Sequence, residues 1–406
     1  MREGGVSVAA RFRSLGTACL AALPLLMALA NRSSPLFVGL AALAFLIAAL
    51  IEEREDLAAT LLEPLATPLG ASALAFLGWC LVSIAWSPFP ALSWRVAGEF
   101  LPTVLAAYLL ARLAPGRLSG FALPLAVAAT AAASLYIAVG MLGGLPVQKA
   151  LGMRVAEFVF NRPVLTLLLI ASPLAYAAIR RGWRLAGIAV LAFALLAVLA
   201  SVSGAARLGL AASLAGALAA RFLPRPAALG LAGLGLGLCV ALAPVEGDVL
   251  ARFMPEAAHE RLVQSSSRAR VAIARSFGAA VAEDPWRGAG YGTAARFAET
   301  GVAQRLDPEM RELLPVGHPH NSFLQVWAEL GLPGAFLAGL ALMLMLRAVA
   351  GYPPGAFAAA IGLAAAAAAV AFVEHGAWQG WWTAGLGAAI TWLRHGLAGA
   401  ETGTRP

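Results

Sequence analysis

The feature that most constrains the fold of this chain is a series of long apolar runs along its whole length. A helix needs about 20 apolar residues to cross the hydrocarbon core of a bilayer. Twelve runs approach or reach that length: 14–31, 35–51, 69–87, 96–113, 121–142, 160–179, 184–202, 205–223, 227–244, 321–347, 354–374 and 376–395. Only 12% of the residues are charged, about half the share found in soluble domains. The sequence therefore predicts an all-α polytopic membrane protein with about 12 transmembrane helices.

The basic residues of the short connections predict how these spans are oriented. With the N-terminus in the cytoplasm, the inward connections hold fourteen arginines and the short outward ones hold six basic residues. This asymmetry agrees with the positive-inside rule. The first run resembles a signal peptide, but the many spans that follow favour an uncleaved first helix. The net charge of +8 is thus explained by span orientation, and no nucleic-acid partner is expected.

One hydrophilic segment, residues 245–320, is much longer than the other connections and is predicted to lie outside the membrane. It divides the chain into spans one to nine (1–244), an external loop with short helices (245–320), and spans ten to twelve with a short cytoplasmic tail (321–406). The loop carries ten acidic and nine basic residues. Because these charges nearly cancel, the loop does not have the composition of a polybasic lipid-binding segment.

The external loop contains a predicted helix of its own. Ser265 to Ser267 can cap a helix that continues through Val281. Arg268 and Arg275 are seven residues apart, which places them on one face of that helix.

Two histidines mark the point where the external loop meets the tenth span, in the stretch "GHPHNSFLQVWAELGLPGAF". Asn321 or Ser322 can cap the following helix, so that its positive end points at His320. A nearby positive end lowers the pKa of a histidine and favours the neutral ring, which can accept a proton as a general base. The alternative is that His318 and His320 only bind backbone groups at a helix start.

Three further titratable residues lie near the same membrane face. Glu329 falls about 13 Å along the tenth span, where an unpaired carboxylate is costly, so it is either a proton relay or an anchor that binds loop N–H groups or an arginine. The glycines and proline of residues 331–334 predict a kink just below it. Glu374 and His375, at the outer end of the eleventh span, either line the same cavity as His320 or form a solvated helix end.

These residues together resemble the O-antigen ligase and O-antigen polymerase superfamily. The loop stretch "SSSRARVAIARSFGAAVAEDPWRGAGYG" is similar to the Ser-Arg, helix, Pro and Gly-x-Gly run that precedes the family's histidines, and the resemblance covers roughly residues 180–375. The residues that match the family's histidine motif are His318, His320, Asn321, Phe323, Leu324, Gln325, Glu329, Gly331 and Gly334.

The resemblance implies a metal-independent, cofactor-free, inverting glycosyltransferase of the integral-membrane C type. The donor would be a glycan on undecaprenyl pyrophosphate, and the acceptor would be a hydroxyl of a lipid-anchored sugar. The site would face the periplasm from the bacterial inner membrane. His320 would be the base, with His318 as the second catalytic residue, and Asn321, Glu329, Glu374 and His375 would support them.

The resemblance further implies that arginines bind the leaving pyrophosphate, because guanidinium is always charged and binds phosphate through two N–H groups. The candidates are Arg268 and Arg207 first, then Arg154, Arg162 and Arg275. One departure from the family concerns Arg207, which lies three residues beyond Gly204 instead of following the serine directly.

Several functional alternatives remain open. A ligase would pass the glycan to lipid A–core and a polymerase would pass it to another lipid-linked repeat, and the single compact loop favours the ligase. A polysaccharide-lipid transporter also fits twelve spans, but the polar residues gather at one external face. A protein oligosaccharyltransferase of the same superfamily would usually carry further external domains. The sequence does not indicate an oligomeric state.

Overall fold

The computed structural model describes residues 7–52, 54–152, 155–261, 267–374 and 376–401, and these residues fold as helices and their connections without strands. The loop of residues 245–320, which is predicted to lie outside the membrane, is called the external segment below. The helices before it are α1 (Val8–Leu29), α2 (Ser34–Glu52), α3 (Arg54–Leu62), α4 (Pro68–Ser83), α5 (Pro90–Leu113), α6 (Ala122–Leu142), α7 (Pro146–Ala150), α8 (Asn161–Arg180), α9 (Arg184–Ala200), α10 (Gly204–Phe222) and α11 (Arg225–Ala241). The remaining helices are α12 (Glu246–Phe253), α13 (Glu256–Arg261), α14 (Ser267–Glu283), α15 (Gly301–Arg305), α16 (Pro308–Arg311), α17 (Ser322–Val349), α18 (Pro354–Val373) and α19 (Gly380–Glu401).

Within the described ranges, nine helices are long and apolar enough to cross a membrane. A tenth is possible if α11 and the bent segment Ala243–Phe253, which turns by 53°, form one broken span. Arg184–Ala200 is apolar but shorter. Every predicted run coincides with a helix, so the prediction of a multi-pass helical membrane protein is confirmed. The predicted count of about twelve spans is not confirmed. Helix α9 has only 17 residues, which is shorter than the nine spanning helices, and α19 is not among those nine.

Helix α8 lies at the centre of the helix packing. Most of its residues are buried, and it packs against α1, α9, α18 and α19. Its apolar sequence on all faces is what a helix surrounded by other helices requires. The N-terminal end of α8 therefore brings Asn161 and Arg162, which are both half-buried, into the helix packing.

The external segment packs on the end of α17 as a small helical unit. Phe277 of α14 contacts Phe297 with ring centroids 4.8 Å apart, and both side chains are buried with Leu314 and Leu324. The predicted loop helix is present as α14, which begins at Ser267 and continues two residues past the predicted end.

Helix α17 is interrupted at Gly331, as the Gly-Leu-Pro-Gly sequence predicts. Gly331 has φ 62° and ψ −164°, a conformation that is nearly exclusive to glycine. The "WRGAGYG" stretch of the external segment crosses α17 at this break: Leu332 N–H donates to the Pro285 carbonyl at 2.8 Å, and Gly290 N–H donates to the Glu329 carbonyl at 2.8 Å. The break thus supplies the backbone groups that hold the external segment against the membrane helices.

Candidate active site

The turn that carries both histidines is held by three local contacts. His320 has a positive φ of 56°, which is uncommon for a residue with a side chain. Its backbone N–H donates to His318 Nδ1 at 3.2 Å, and the two rings lie 4.2 Å apart between centroids. Asn321 then caps α17 by accepting from the N–H groups of Phe323 and Leu324. The sequence predicted this cap but not the left-handed turn.

Both imidazoles are held in the neutral form at neutral pH. Burial, followed by the charge of Arg270, lowers the pKa of His320. Burial, followed by the neighbouring His320 ring, lowers the pKa of His318 to about 4. The direction agrees with the prediction, but the cause is different: desolvation, and not the helix end, is the largest contribution.

The hydrogen bonds of His320 leave one ring nitrogen without a partner. The ring forms a hydrogen bond with the Glu374 backbone that raises its pKa, as an accepting carbonyl does. Nδ1 is buried and makes no hydrogen bond. With the proton on the nitrogen that faces the carbonyl, Nδ1 carries the free lone pair that a general base needs.

Arg270 is the arginine that the structure brings to the histidines. Its guanidinium donates to Glu374 Oε2 at 2.8 Å and to the Val373 carbonyl, and it lowers the pKa of both imidazoles. The sequence prediction missed this residue. A signal was available, because Arg270 lies one turn before Ile273 on the apolar stripe of α14, and a charged residue on the buried face of a helix indicates a partner in the interior.

Two cavities meet at His320, which lines both together with Asn161 and Glu374. The first, of about 670 Å³, is called here the polar cavity; Arg32, Gln148, Arg162, His318 and Gln379 also line it. The second, of about 450 Å³, is called here the apolar cavity; Leu208, Leu250, Met254, Arg270 and Phe372 also line it. A base at the junction of two cavities can reach one substrate from each side.

The apolar cavity combines a largely hydrophobic lining with one positively charged end. The N-terminal end of α10 lines it through Ser203, Gly204 and Ala205, and the first turn of α14 lines it through Ser267 and Arg270. Helix N-termini carry a partial positive charge and N–H groups that favour anions. Together with the guanidinium of Arg270, they form one anion-favouring end of a cavity whose other lining is mainly apolar but also includes the carboxylates of Glu246 and Glu374.

Glu329 serves as an anchor away from both cavities. The fully buried carboxylate accepts from the N–H of Gly292 at 2.6 Å and of Ala294 at 3.0 Å. It also accepts from Gln325 Nε2 at 2.9 Å and from Trp378 Nε1 at 2.7 Å. These contacts correspond to the anchor alternative, in which the carboxylate binds N–H groups of the external segment.

The structure places three predicted pyrophosphate ligands outside the two cavities. Arg268 is exposed and pairs with Glu256. Arg275 pairs with Asp248 at 3.0 Å, on the same outward face as Arg268. Arg207 donates to the Ser201 carbonyl at 2.8 Å, on the helix whose first turn lines the apolar cavity.

Arg162 does line a cavity with the histidines, but it is the polar one. Glu374 lies beside His320 in both cavities. The predicted residues Arg154 and His375 lie outside the described residues, and their roles stay predictions. Among the residues that the structure describes, no group of three or more His, Cys, Asp or Glu side chains could hold a metal ion.

Residues 187–339 match a family model described as O-Antigen ligase, and no curated protein matches the chain. The matched region runs from α9 into α17 and includes Arg270, His318 and His320. The match confirms the predicted resemblance to the O-antigen ligase superfamily over this region. It supports an enzyme of the membrane glycosyltransferase-like ligase or polymerase type.

Proposed function

We propose, with the O-antigen ligase match as the premise, that this chain transfers a glycan from undecaprenyl pyrophosphate to a sugar hydroxyl of lipid A–core. The observation that carries the proposal is the position of His320. His320 lines two cavities of different character, and its buried Nδ1 has no partner. A hydroxyl in one cavity and a lipid-linked sugar in the other would meet at this nitrogen. The site would face the periplasm from the bacterial inner membrane.

The apolar cavity suits the donor. A polyprenyl pyrophosphate needs an apolar path for its chain and a positive end for its phosphates. The lining from Leu208 and Phe372 supplies the first, and Arg270 with the first turns of α10 and α14 supplies the second. Arg207, one turn into α10, is a second candidate ligand. Arg268 and Arg275 are left out of this proposal because they pair with carboxylates on the outward face.

The proposed reaction is a single displacement at the anomeric carbon. The acceptor oxygen forms a bond to that carbon while the bond from the carbon to the pyrophosphate oxygen breaks, with inversion of configuration. The electron pair leaves with undecaprenyl pyrophosphate, whose charge Arg270 and the helix ends stabilise. The hydroxyl proton passes to His320 Nδ1 and then to water.

Two neighbours prepare His320 for this role. His318 accepts from the His320 N–H at 3.2 Å, which helps to hold the positive-φ turn. Burial, followed by the charge of Arg270, lowers the pKa of His320 and favours the neutral ring, and Glu374 fixes Arg270 through a 2.8 Å ion pair. We therefore assign His320 as the base and His318 as a residue that positions it.

Complementation of a deletion strain tests this function. The host gene would be deleted and replaced by wild type, by His320→Ala, or by Glu309→Ala as a control on an exposed part of the external segment. Membrane levels of each protein would be measured by immunoblot. We expect His320→Ala to give lipopolysaccharide that ends at bare core, with long glycans accumulating on the lipid carrier, and Glu309→Ala to match wild type.

Two other outcomes would change the conclusion. If the deletion leaves core bearing a single repeat, the chain is a polymerase that extends lipid-linked repeats, and the acceptor assignment is wrong. If His320→Ala restores the full wild-type pattern, His320 is only a structural residue at a helix start.

A further inference from the structure

The polar cavity holds hydrogen-bond acceptors that have no partner in the protein. Gln148 is only 4% exposed; its Nε2 donates to the Tyr136 hydroxyl at 3.1 Å, while its Oε1 is buried and unpartnered. Asn161 Oδ1, at the N-terminal end of α8, is also buried and unpartnered. Both residues line the polar cavity beside His320. A buried acceptor without a donor costs about 1–3 kcal/mol, so a ligand that brings hydroxyl groups would be stabilised here.

The same cavity holds two arginines without carboxylate partners. Arg32 and Arg162 both line it, and no ion pair joins either one to a carboxylate in the part of the chain that the structure describes. Arg162 lies over the Trp381 ring at 5.5 Å. The one carboxylate in the lining, Glu374, is already paired with Arg270. The cavity therefore keeps an excess of positive charge.

We propose that the polar cavity is the acceptor subsite and that it takes a sugar that bears an anionic substituent. This inference rests on the proposed function and deepens it. Gln148 and Asn161 accept from the sugar hydroxyls, and Arg32 and Arg162 bind the phosphate or carboxylate group. The reacting hydroxyl then faces His320 from the side opposite the donor.

This assignment changes the role predicted for Arg162. The sequence grouped Arg162 with the arginines that bind the donor's pyrophosphate. In the structure, the apolar cavity has its own cation, Arg270, which pairs with Glu374, and the N-termini of α10 and α14 lie beside it. The charge of the polar cavity is thus available for the other substrate, and specificity for an anionic acceptor follows from it.

The test measures the Michaelis constant for the acceptor with purified protein and undecaprenyl-pyrophosphate-linked glycan. Three acceptor probes are used: lipid A–core from the deletion strain, the same material after phosphatase treatment, and the same material with its carboxyl groups reduced to alcohols. We expect one of the two treatments to raise the wild-type acceptor KM, which identifies the anionic group. Arg162→Gln and Arg32→Gln should raise the KM of untreated acceptor about 10- to 100-fold, as loss of a hydrogen bond to a charged group does, and should leave the donor KM unchanged.

Matched variants separate charge from folding. Arg162→Lys keeps the charge and should recover much of the acceptor KM. Gln148→Leu should weaken binding of all three acceptors, because it removes a hydroxyl partner and not a charge. Arg305→Gln removes the same charge from an exposed arginine that pairs with Glu283 outside both cavities, and it should match wild type.

The outcomes that overturn the inference differ from those that overturn the function. If wild type transfers glycan but both treatments and both arginine variants leave the acceptor KM unchanged, the acceptor assignment is wrong while the function stands. The same holds if Arg162→Gln raises only the donor KM, which returns Arg162 to the pyrophosphate. If wild type transfers glycan to none of the probes, the function and the inference both fail.

Discussion

At the residue scale, the structure predicts how transfer depends on pH. The pKa of His320 lies below the usual histidine value of about 6.5, so the neutral base persists as the pH falls through that value. We expect the acid limb of kcat/KM to lie below pH 6.5. Arg270→Gln removes a positive charge that disfavours the imidazolium, so the acid limb should move to higher pH while the rate falls about 10²–10³-fold for the lost phosphate contact. The pH–rate profiles of both proteins would show this.

Comparing Arg268→Gln with Arg270→Gln tests which of the two arginines of the "SRAR" stretch lies in the site. The sequence placed Arg268 in the site, whereas the structure places its side chain in solvent beside Glu256. We expect Arg268→Gln to leave the acid limb in place and to change kcat/KM less than Arg270→Gln does. A larger loss in Arg268→Gln would support the sequence prediction and contradict the placement of Arg270.

The site residues that could be predicted from the sequence are those that belong to a short motif. His318, His320 and Asn321 follow from a short stretch with defined spacing, and the structure brings the two rings together. Gln148 and Arg32 carry no such signal, because a single polar residue beside a span is ordinary in sequence. Only the packing of distant helices places them in one cavity with the histidines.

At the element scale, the break in α17 predicts an unusual cost for a small substitution. Gly331→Ala adds a Cβ to a residue with φ 62°, which costs about 1–3 kcal/mol for the backbone alone. That Cβ would also lie 2.5 Å from the Trp286 carbonyl oxygen. We expect a clear fall in Tm in detergent and a loss of folded protein. Gly339→Ala, in the same helix with its nearest contact at 3.7 Å, should leave Tm unchanged or higher, since alanine favours a helix.

The anchor at Glu329 gives a second prediction at this scale. All four groups that contact the carboxylate are hydrogen-bond donors. Glu329→Gln replaces one carboxylate oxygen by an amide N–H₂, which cannot accept from the donors that face that position. We expect a destabilisation of about 2–4 kcal/mol from buried unsatisfied donors, measured as a lower Tm. At temperatures below its Tm, the folded Glu329→Gln protein should keep the wild-type kcat. A stable Glu329→Gln protein with a large loss of kcat would support the proton-relay alternative instead.

The helices themselves were predictable because apolar runs of helical length have no other stable form in a bilayer. The kink at Gly331 was predictable from its residues. The crossing of "WRGAGYG" over that kink was not, because the backbone hydrogen bonds from Gly290 and Leu332 join segments that no local pattern relates.

At the scale of the whole molecule, orientation rests on the parity of the spans. With the connection at Arg181 inward, residues 245–320 lie outside only if an odd number of the helices α9, α10 and α11 cross the membrane, and all three cross in the twelve-span arrangement. Helix α9 has 17 residues, a length at the lower limit for a span. If α9 alone did not cross, the connection at Arg181 and the external segment would lie on one side, and with that connection inward the site would face the cytoplasm.

Cysteine labelling in whole cells tests this parity directly. The three native cysteines, Cys19, Cys80 and Cys239, would first be replaced by alanine. Arg181→Cys and Glu309→Cys then introduce single thiols at exposed positions on either side of the three helices. We expect a membrane-impermeant maleimide to label the thiol at position 309 in intact spheroplasts and the thiol at position 181 only after the membrane is broken. Labelling of both thiols in intact spheroplasts would mean that the connection at Arg181 also lies outside and that an even number of the helices α9, α10 and α11 cross the membrane. The His320 site would still face outward, but the twelve-span count would be wrong. Labelling of neither thiol would place the site in the cytoplasm, away from the periplasmic acceptor proposed here.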